Sequence, residues 1–314
     1  MPLEHIPLSN LVKIGVGIDR PEDVVVAPDG MVWASDRAGA CAEIRPDGTL
    51  RRVGQAGGEP NGINMDVEGR IIIANFGNGL VQRLDPETGR IDVLCDTVGG
   101  VKLTTSNYPI IDAEGNIWCA NSTYAYPWQT ALDGRADGML FRIRPDGSVE
   151  KMAEGLRFAN GLALDRDDEH IYVCETTGCD VLRYKIRLDG TLGTPERYGP
   201  VLGESWASAM DPNSPPSRDV LNRLGLTDGC GFDAEGNLWV TLVVANKIVA
   251  ITPRGEVVTV IDDPEGIVMS QPTNVSWGGP DMHNLYIGSI ANDYVLETRS
   301  PVAGMTLIHQ RLKK

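Results

Sequence analysis

Several kinds of catalytic machinery have no counterpart in this sequence of 314 residues. It contains only four histidines and no Gly-x-Ser-x-Gly motif, which makes a hydrolase built on a Ser-His-Asp triad a poor interpretation. Its six cysteines form no Cys-x-x-Cys pair, which argues against a thiolate zinc site. We expect buried free thiols instead, as is usual in a reducing compartment.

Basic residues are also scarce, with 28 Lys and Arg against 43 Asp and Glu, and the formal net charge is -15. Because such an acidic surface repels phosphate backbones and anionic lipids, we expect no nucleic-acid or membrane partner. No apolar run approaches the length of a membrane-spanning helix. The first ten residues show no basic segment followed by an apolar core, which predicts no signal peptide and a cytoplasmic location.

Glycine is plentiful, at 36 residues, and marks a repeat. A short apolar strand, an acidic turn that usually ends in glycine, and a second apolar strand occur six times. The glycine supplies the positive φ angle that a tight hairpin needs. The copies span residues 24–34, 63–74, 110–120, 162–174, 230–241 and 275–288.

A second hairpin follows each copy. Five are clear and the sixth, at 299–307, is looser; the clear ones span 44–50, 84–91, 143–149, 186–192 and 251–257. Each unit therefore reads as four antiparallel strands. Six such units predict an all-β fold, a six-bladed β-propeller forming one domain over residues 1–314. A β-sandwich or an up-and-down barrel is the weaker alternative.

Long insertions occupy only one class of connection. In a four-stranded meander both hairpins of a unit lie at one face, and the remaining connections lie at the other. Segments 120–137 and 196–226 belong to the second class. Long loops gathered at one face of a rigid scaffold usually carry function, so we expect the active face there, although structurally neutral insertions also exist.

A polar position recurs eight residues before each first-hairpin glycine or its equivalent. Every copy carries an amide or a carboxylate, namely Glu22, Asn61, Asn107, Asn160, Asp228 and Asn274. These residues would ring the mouth of the channel. Asn and Asp also favour turns, which explains one or two of them. Six oxygen donors with two carboxylates predict a divalent metal ion; hard donors favour Ca²⁺, Mg²⁺ or Mn²⁺, and Zn²⁺ cannot be distinguished from them.

The segments that carry these positions resemble the regucalcin–gluconolactonase family of six-bladed propellers. The resemblance rests on the order and spacing of residues 20–30, 106–118, 158–165, 226–240 and 271–288. It implies that the metal is held by Glu22, Asn160 and Asp228, and that Asn107 contacts the substrate or a water. It also implies hydrolysis of a lactone, while related propellers cleave other esters or phosphoesters.

The chain departs from the sugar lactonases at two places. Those enzymes tend to have an arginine where this sequence has Thr105, and an acidic residue in the loop that follows. The loop here, 121–128, is uncharged and contains Tyr124 and Trp128. We therefore predict a less polar lactone or ester, with Thr105, Tyr124 and Trp128 near it. These aromatic residues could equally pack the loop onto its blade.

The expected mechanism is metal-assisted hydrolysis, in which the metal acts as a Lewis acid and Asp228 as the general base. Two alternatives remain open: a propeller that binds a metal or a partner without catalysis, and a propeller enzyme that works without metal. Asp228 argues against the first, because a pure scaffold has no need of a carboxylate beside Glu22. The pair Glu22 and Asp228 argues against the second, because like charges across a narrow channel require a cation between them.

Overall fold

The chain forms a six-bladed β-propeller. The computed structural model describes residues 3–211 and 214–311. Within them, six four-stranded antiparallel sheets are arranged around a channel, and the innermost strands of successive blades lie beside one another. This confirms the all-β architecture predicted from the repeat.

Each of the first five blades is a meander in chain order. Blade 1 contains β2 (Val24–Val26), β3 (Val32–Ser35), β4 (Cys41–Ile44) and β5 (Leu50–Val53); blade 2 contains β6 (Pro60–Met65), β7 (Ile71–Asn75), β8 (Val81–Leu84) and β9 (Ile91–Cys95). Blade 3 contains β12 (Ser106–Ile111), β13 (Ile117–Asn121), β14 (Gly138–Ile143) and β15 (Val149–Leu156). Blade 4 contains β16 (Ala159–Leu164), β17 (His170–Glu175), β18 (Asp180–Lys185) and β19 (Glu196–Arg197); blade 5 contains β20 (Thr227–Phe232), β21 (Leu238–Leu242), β22 (Lys247–Ile251) and β23 (Val257–Asp262).

Blade 6 joins the two ends of the chain. Its inner three strands are β24 (Pro272–Gly278), β25 (Asn284–Ser289) and β26 (Val295–Arg299), and its outer strand is β1 (Val12–Ile14), which pairs with β26. The second hairpin predicted at 299–307 is therefore wrong for this blade. Closing the ring with an N-terminal strand leaves no open seam between the first and last blades.

The residues after β26 cross the face of the propeller that carries the hairpins. Met305 donates a backbone hydrogen bond to Phe232 O at 3.0 Å, and Gln310 Nε2 donates to Trp277 O at 2.8 Å. His309 is buried and bonds to Val26 O through Nε2 at 3.0 Å. The C-terminal segment thus ties together the inner strands of blades 1, 5 and 6.

Elements outside the blades are short. They are the hairpin β10 (Thr97–Val98) and β11 (Val101–Lys102), helices α1 (Trp206–Ala209) and α2 (Arg218–Leu221), and 3-10 turns at Leu8–Asn10, Trp128–Asp133 and Ile308–Gln310. None of the helices in the described ranges has the length and apolar character needed to cross a bilayer.

A recurring side-chain network fixes the first hairpins of blades 3 and 5. Asp112 accepts hydrogen bonds from Asn116 N at 2.9 Å and from Trp118 Nε1 at 2.8 Å. Asp233 repeats both contacts with Asn237 and Trp239. The acidic residue of the turn therefore closes the hairpin and pairs the only polar atom of a fully buried indole, so these two acidic turns have a structural role.

Candidate functional site

A cavity of about 270 Å³ lies where the inner strands begin, at the face opposite the hairpins. Its floor is polar, formed by Arg20, Glu22, Asn61, Asn107, Asn160, Thr176, Asp228 and Gln271. Its walls are apolar, formed by Phe76, Trp128, Leu132, Phe158, Trp206, Leu226, Val243, Val244 and Ile290. Both long insertions reach it, since Trp128 and Leu132 come from 120–137 and Trp206 comes from 196–226.

A repeated irregularity of the inner strands directs the polar residues into this cavity. In β6, β12, β16 and β20 the register shifts just after the first paired residue, which leaves two residues without a regular partner. The first of these two is Asn61, Asn107, Asn160 or Asp228. Glu22 occupies the equivalent place before β2. A bulge bends its strand and re-aims a side chain, and here it does so at the same level in each blade.

The second residue of each bulge is glycine in blades 2, 4 and 5. A Cβ atom at Gly161 would lie 2.5 Å from Asp228 O, and one at Gly62 would lie 2.5 Å from Asn107 O. Such distances are too short for any side chain. Glycine at these positions therefore lets neighbouring inner strands approach closely and narrows the channel beneath the floor.

Asn274 does not belong to the ring of polar residues, contrary to the sequence prediction. In β24 the first residue of the bulge is Thr273, and Asn274 takes the place occupied by glycine in blades 2, 4 and 5. Its amide donates to Asp23 Oδ1 and, at 3.1 Å, to Tyr108 OH. It therefore lies in a second polar layer, below the cavity floor.

Hydrogen bonds order one side of the floor. Asn61 Nδ2 donates to Glu22 Oε1 at 2.9 Å and to Asn107 Oδ1 at 2.7 Å. Asn61 Oδ1 accepts from Arg20 Nη1 at 2.8 Å, and Asn107 Nδ2 donates to Ser122 Oγ at 2.9 Å. The amide NH2 group and the amide oxygen of both Asn61 and Asn107 thus have hydrogen-bond partners. The orientation of these two side chains is therefore fixed before any ligand binds.

Glu22 and Asp228 are buried carboxyl groups that line the same cavity. Burial, followed by the nearby charge of Asp228, raises the pKa of Glu22 well above its usual value. Burial also raises the pKa of Asp228 to about 8, against the opposing effects of Arg20 and of a hydrogen bond from Asn160. Two carboxylates held together in a dry site repel each other, so the site favours a proton or a cation between them.

One oxygen of this pair has no hydrogen-bond partner among the described residues. Glu22 Oε2 is buried and, among the described residues, accepts no hydrogen bond. A buried carboxylate oxygen is costly unless a donor or a cation satisfies it. On the other side of the floor, Asn160 Nδ2 donates a hydrogen bond to Thr176 Oγ1 at 3.1 Å. The side-chain carbonyl oxygen of Asn160 can therefore serve as a ligand for a cation.

The metal ligands predicted from the sequence are thus brought together in one cavity. The set contains two carboxylates and one amide. Within the described ranges, no group of three His, Cys, Asp or Glu side chains forms a metal cluster. The prediction that Glu22, Asn160 and Asp228 bind a metal therefore stays a prediction, for which these positions supply the oxygen donors.

An aromatic cluster forms one wall. Trp128 is 37% exposed, and its ring meets Phe76 and Phe158 edge to face, with centroids 5.6 and 5.8 Å apart. Trp128 therefore packs its loop onto the blades and also presents a face to the cavity. The packing role is therefore observed, whereas contact of Trp128 with a substrate stays a prediction.

The structure places two predicted contact residues elsewhere. The Thr105 hydroxyl donates to Thr123 O at 2.8 Å and accepts from Thr123 N at 3.0 Å, so it closes a loop and does not line the cavity. Tyr124 lines a separate surface depression beside β11 and β15. Neither residue is in place to contact a ligand in this cavity.

Sequence reasoning missed Arg20, Phe76, Phe158 and Trp206 as lining residues. Arg20 and Phe158 stand two residues before Glu22 and Asn160, and both adopt positive φ angles, 60° and 59°. A non-glycine residue seldom adopts such angles, and sequence does not reveal them. Trp206 was within an insertion expected to be functional, although nothing in the sequence marked it individually.

Residues 59–291, most of the chain, match the family model described as the SMP-30/gluconolactonase/LRE-like region. Residues 7–41 match a second model, the strictosidine synthase-like N-terminal region. A gluconolactonase of Zymomonas mobilis is 24% identical over 286 residues, covering 87% of this chain and 71% of that protein. The pentonolactonase XacC of Haloferax volcanii is 25% identical over 262 residues, covering 72% of this chain and 79% of that protein.

Solved structures show the same fold. A gluconolactonase from Xanthomonas campestris, XC5397, superimposes with a TM-score of 0.71 at 21% identity, covering 95% of this chain and 94% of that one. A calcium-binding protein described as regucalcin from Agrobacterium tumefaciens superimposes with a TM-score of 0.70 at 16% identity, covering 96% and 97%. At these identities the likeness concerns the fold alone.

Proposed function

Because the chain belongs to the SMP-30/gluconolactonase/LRE-like family, we propose that it is a metal-dependent lactone hydrolase whose substrate is less polar than a sugar lactone. One observation carries this proposal. A single cavity combines two buried carboxyl groups, Glu22 and Asp228, with the aromatic side chains of Phe76, Trp128 and Phe158. The named lactonases among the relatives support the reaction type.

The donor set fits a divalent cation. Glu22 Oε2 is buried without a partner among the described residues. Asp228 and Asn160 line the same cavity, and Asn160 is hydrogen-bonded to Asp228. All three are hard oxygen donors, the type that Ca²⁺, Mg²⁺ and Mn²⁺ bind. When bound, such an ion would polarise a lactone carbonyl as a Lewis acid.

Asp228 is the residue we assign as the general base. Burial raises its pKa to about 8, so its ionised form is a stronger base than an ordinary aspartate. Held ionised beside a cation, this carboxylate would accept a proton from a water next to the lactone. General-base help of this kind contributes about 10²- to 10⁴-fold to a rate. Asn107, held between Asn61 and Ser122, orients the carbonyl or that water.

The walls select the substrate. An apolar surface stabilises a ligand by removing nonpolar area from water, at roughly 25 cal/mol per Å², and gives no partner to hydroxyl groups. A sugar lactone would leave its hydroxyls unpaired against Phe76, Trp128 and Phe158, which costs binding energy. An alkyl or aryl lactone suits this cavity better.

The test is hydrolysis of a lactone panel by purified protein. Acid release is followed with dihydrocoumarin as the aromatic lactone and glucono-1,5-lactone as the sugar lactone, with divalent ions removed and then restored one at a time. We expect turnover that requires a divalent ion and a preference for dihydrocoumarin. Absence of turnover with every ion and every lactone would instead favour a propeller that only binds.

A further inference from the structure

Arg20 has an unusual backbone conformation at the edge of the cavity. Its φ angle is 60°, in the left-handed region that non-glycine residues seldom adopt. Just after it, a hydrogen bond from Glu22 N to Arg20 O at 2.8 Å closes a tight turn around Pro21. Backbone strain of this kind persists where the surrounding structure imposes it, and it is concentrated at functional sites.

The guanidinium group of Arg20 has donors to spare. A guanidinium carries five N–H donors. Among the described residues, the hydrogen bond that this group makes is the one from Nη1 to Asn61 Oδ1 at 2.8 Å. Arg20 takes part in none of the ion pairs that the described residues form. The remaining donors are therefore available on a group that lines the cavity.

Arg20 is also the one basic side chain in the described lining of the cavity. Phe158 and Leu226 also line the cavity and precede Asn160 and Asp228 by two residues, as Arg20 precedes Glu22. Both are apolar. Arg20 Nη1 donates to Asn61 Oδ1 at 2.8 Å and Asn61 Nδ2 donates to Glu22 Oε1 at 2.9 Å, so a single amide joins the guanidinium to the Glu22 carboxylate. The guanidinium therefore lies beside the part of the cavity where the reaction is proposed to occur.

Resting on the lactone hydrolysis proposed above, we propose that Arg20 is a further catalytic residue, which donates hydrogen bonds to the acyl oxygen of the lactone and then holds the carboxylate of the product. In the reaction, water oxygen bonds to the acyl carbon and the bond from that carbon to the ring oxygen breaks. One water proton passes to the ring oxygen, which becomes a hydroxyl, and the other leaves the new carboxyl group. Negative charge thus grows on the acyl oxygen and stays on the carboxylate.

A guanidinium is well matched to that change. Hydrogen bonds from a charged donor to a charged oxygen are about twice as strong as those between neutral groups. The contact therefore strengthens as the transition state forms, which is the condition for an interaction to raise turnover. Loss of one such oxyanion donor typically lowers turnover about 10²- to 10³-fold.

The test compares a charged ligand with a neutral one in the same cavity. Calorimetry measures binding of 3-(2-hydroxyphenyl)propanoate, the product of dihydrocoumarin, and of 3-(2-hydroxyphenyl)propanamide. The proteins are the wild type, Arg20→Met, Arg20→Lys and Arg20→Gly, with Arg37→Met as the matched control on the same blade. Arg20→Gly guards against misfolding, because glycine accepts a φ of 60° without strain. Arg37 is exposed and pairs with Asp19.

We expect Arg20→Met and Arg20→Gly to weaken binding of the carboxylate at least tenfold and binding of the amide less than twofold. Arg20→Lys should recover part of the loss, and Arg37→Met should behave as wild type. With dihydrocoumarin, kcat should fall about 10²-fold in Arg20→Met, with a smaller change in KM.

Equal affinities for the carboxylate in wild type and Arg20→Met would overturn the assignment, as would an equal loss for carboxylate and amide. A different result would contradict the proposed function. A wild-type protein that binds the carboxylate through Arg20 but opens no lactone contradicts lactone hydrolysis and leaves the anion contact standing.

Discussion

Asn61 donates a hydrogen bond to Oε1 of Glu22 at 2.9 Å, so the oxygen of Glu22 without a partner among the described residues is Oε2. The hydrogen bond from Asn61 fixes Oε1 and so holds the carboxylate in place, while Oε2 remains available to a ligand. Asn61 is in turn oriented by Arg20. Asn61, which the sequence suggested as a further oxygen ligand for the metal, therefore orients Glu22 and Asn107 by hydrogen bonds.

Glu22→Gln should weaken binding of a divalent ion by at least tenfold, because an amide replaces the charge but keeps the shape. Calorimetric titration with Ca²⁺, Mg²⁺ and Mn²⁺ measures the change. Glu68→Gln is the matched control, since Glu68 is exposed and pairs with Arg70. Equal affinity of Glu22→Gln and wild type would remove Glu22 from the ligand set.

Asp228→Asn should fold normally and lose most of its turnover. The substitution removes charge and basicity with little change in shape, so far-UV circular dichroism should match wild type while kcat for dihydrocoumarin falls about 10²-fold or more. Turnover near the wild-type level in a correctly folded variant would assign the base to another residue.

Trp128→Ala should separate substrates by polarity. Removing the indole takes an aromatic face from the cavity wall, so kcat/KM for dihydrocoumarin should drop about tenfold, or ~1.4 kcal/mol, while that for glucono-1,5-lactone changes less than twofold. Leu188→Ala is the control, because Leu188 is fully exposed and outside the cavity. If both lactones are affected equally, Trp128 acts by packing its loop alone.

Gly161→Ala should destabilise the protein and lower its activity. The added Cβ would meet Asp228 O at 2.5 Å and Gly229 Cα at 2.6 Å, both backbone atoms of the next inner strand, and overpacking of this kind costs about 1–3 kcal/mol. Gly193→Ala is the control, since the nearest atoms there are 3.5 Å away. Similar Tm values for the two variants would show that the inner strands have room to separate.

His309 should make stability depend on pH. Burial lowers its pKa to about 4, against roughly 6.5 for an unfolded chain. Between those values the unfolded state binds a proton that the folded state does not, so stability falls as pH falls from about 6.5 toward 4, by about 2 kcal/mol at pH 5. The glutamine of His309→Gln keeps a donor for Val26 O and should flatten this part of the profile. Parallel denaturation profiles for wild type and variant, from pH 7.5 to 5, would contradict the assignment.

The sequence was sufficient for the propeller because each hairpin carries its own local signal. The Asp112 and Asp233 networks are formed within a single turn, so a pattern of neighbouring residues predicts them. Closure of the ring was not predictable in this way. The pairing of β1 with β26 joins residues from opposite ends of the chain, and no local pattern indicates it.

The site shows the same division. Asn61, Asn107, Asn160 and Asp228 share one bulge position, and Glu22 takes the equivalent place before β2, so counting back from the hairpin glycine or its equivalent located all five. The count placed Asn274 one residue out, because the hairpin of blade 6 has a different length and the bulge there begins at Thr273. Arg20 enters the cavity through a backbone angle, and Thr105 is turned away by contacts with Thr123; neither depends on a pattern that can be read from neighbouring residues.

The most direct test of the account is turnover of dihydrocoumarin by protein stripped of divalent ions and then titrated with each ion, in wild type and in Glu22→Gln. The account predicts no acid release from the stripped protein, recovery on addition of an ion to wild type, and a tenfold or greater increase in the ion concentration required by Glu22→Gln. Full turnover by the stripped protein, or identical titrations for the two proteins, would contradict it.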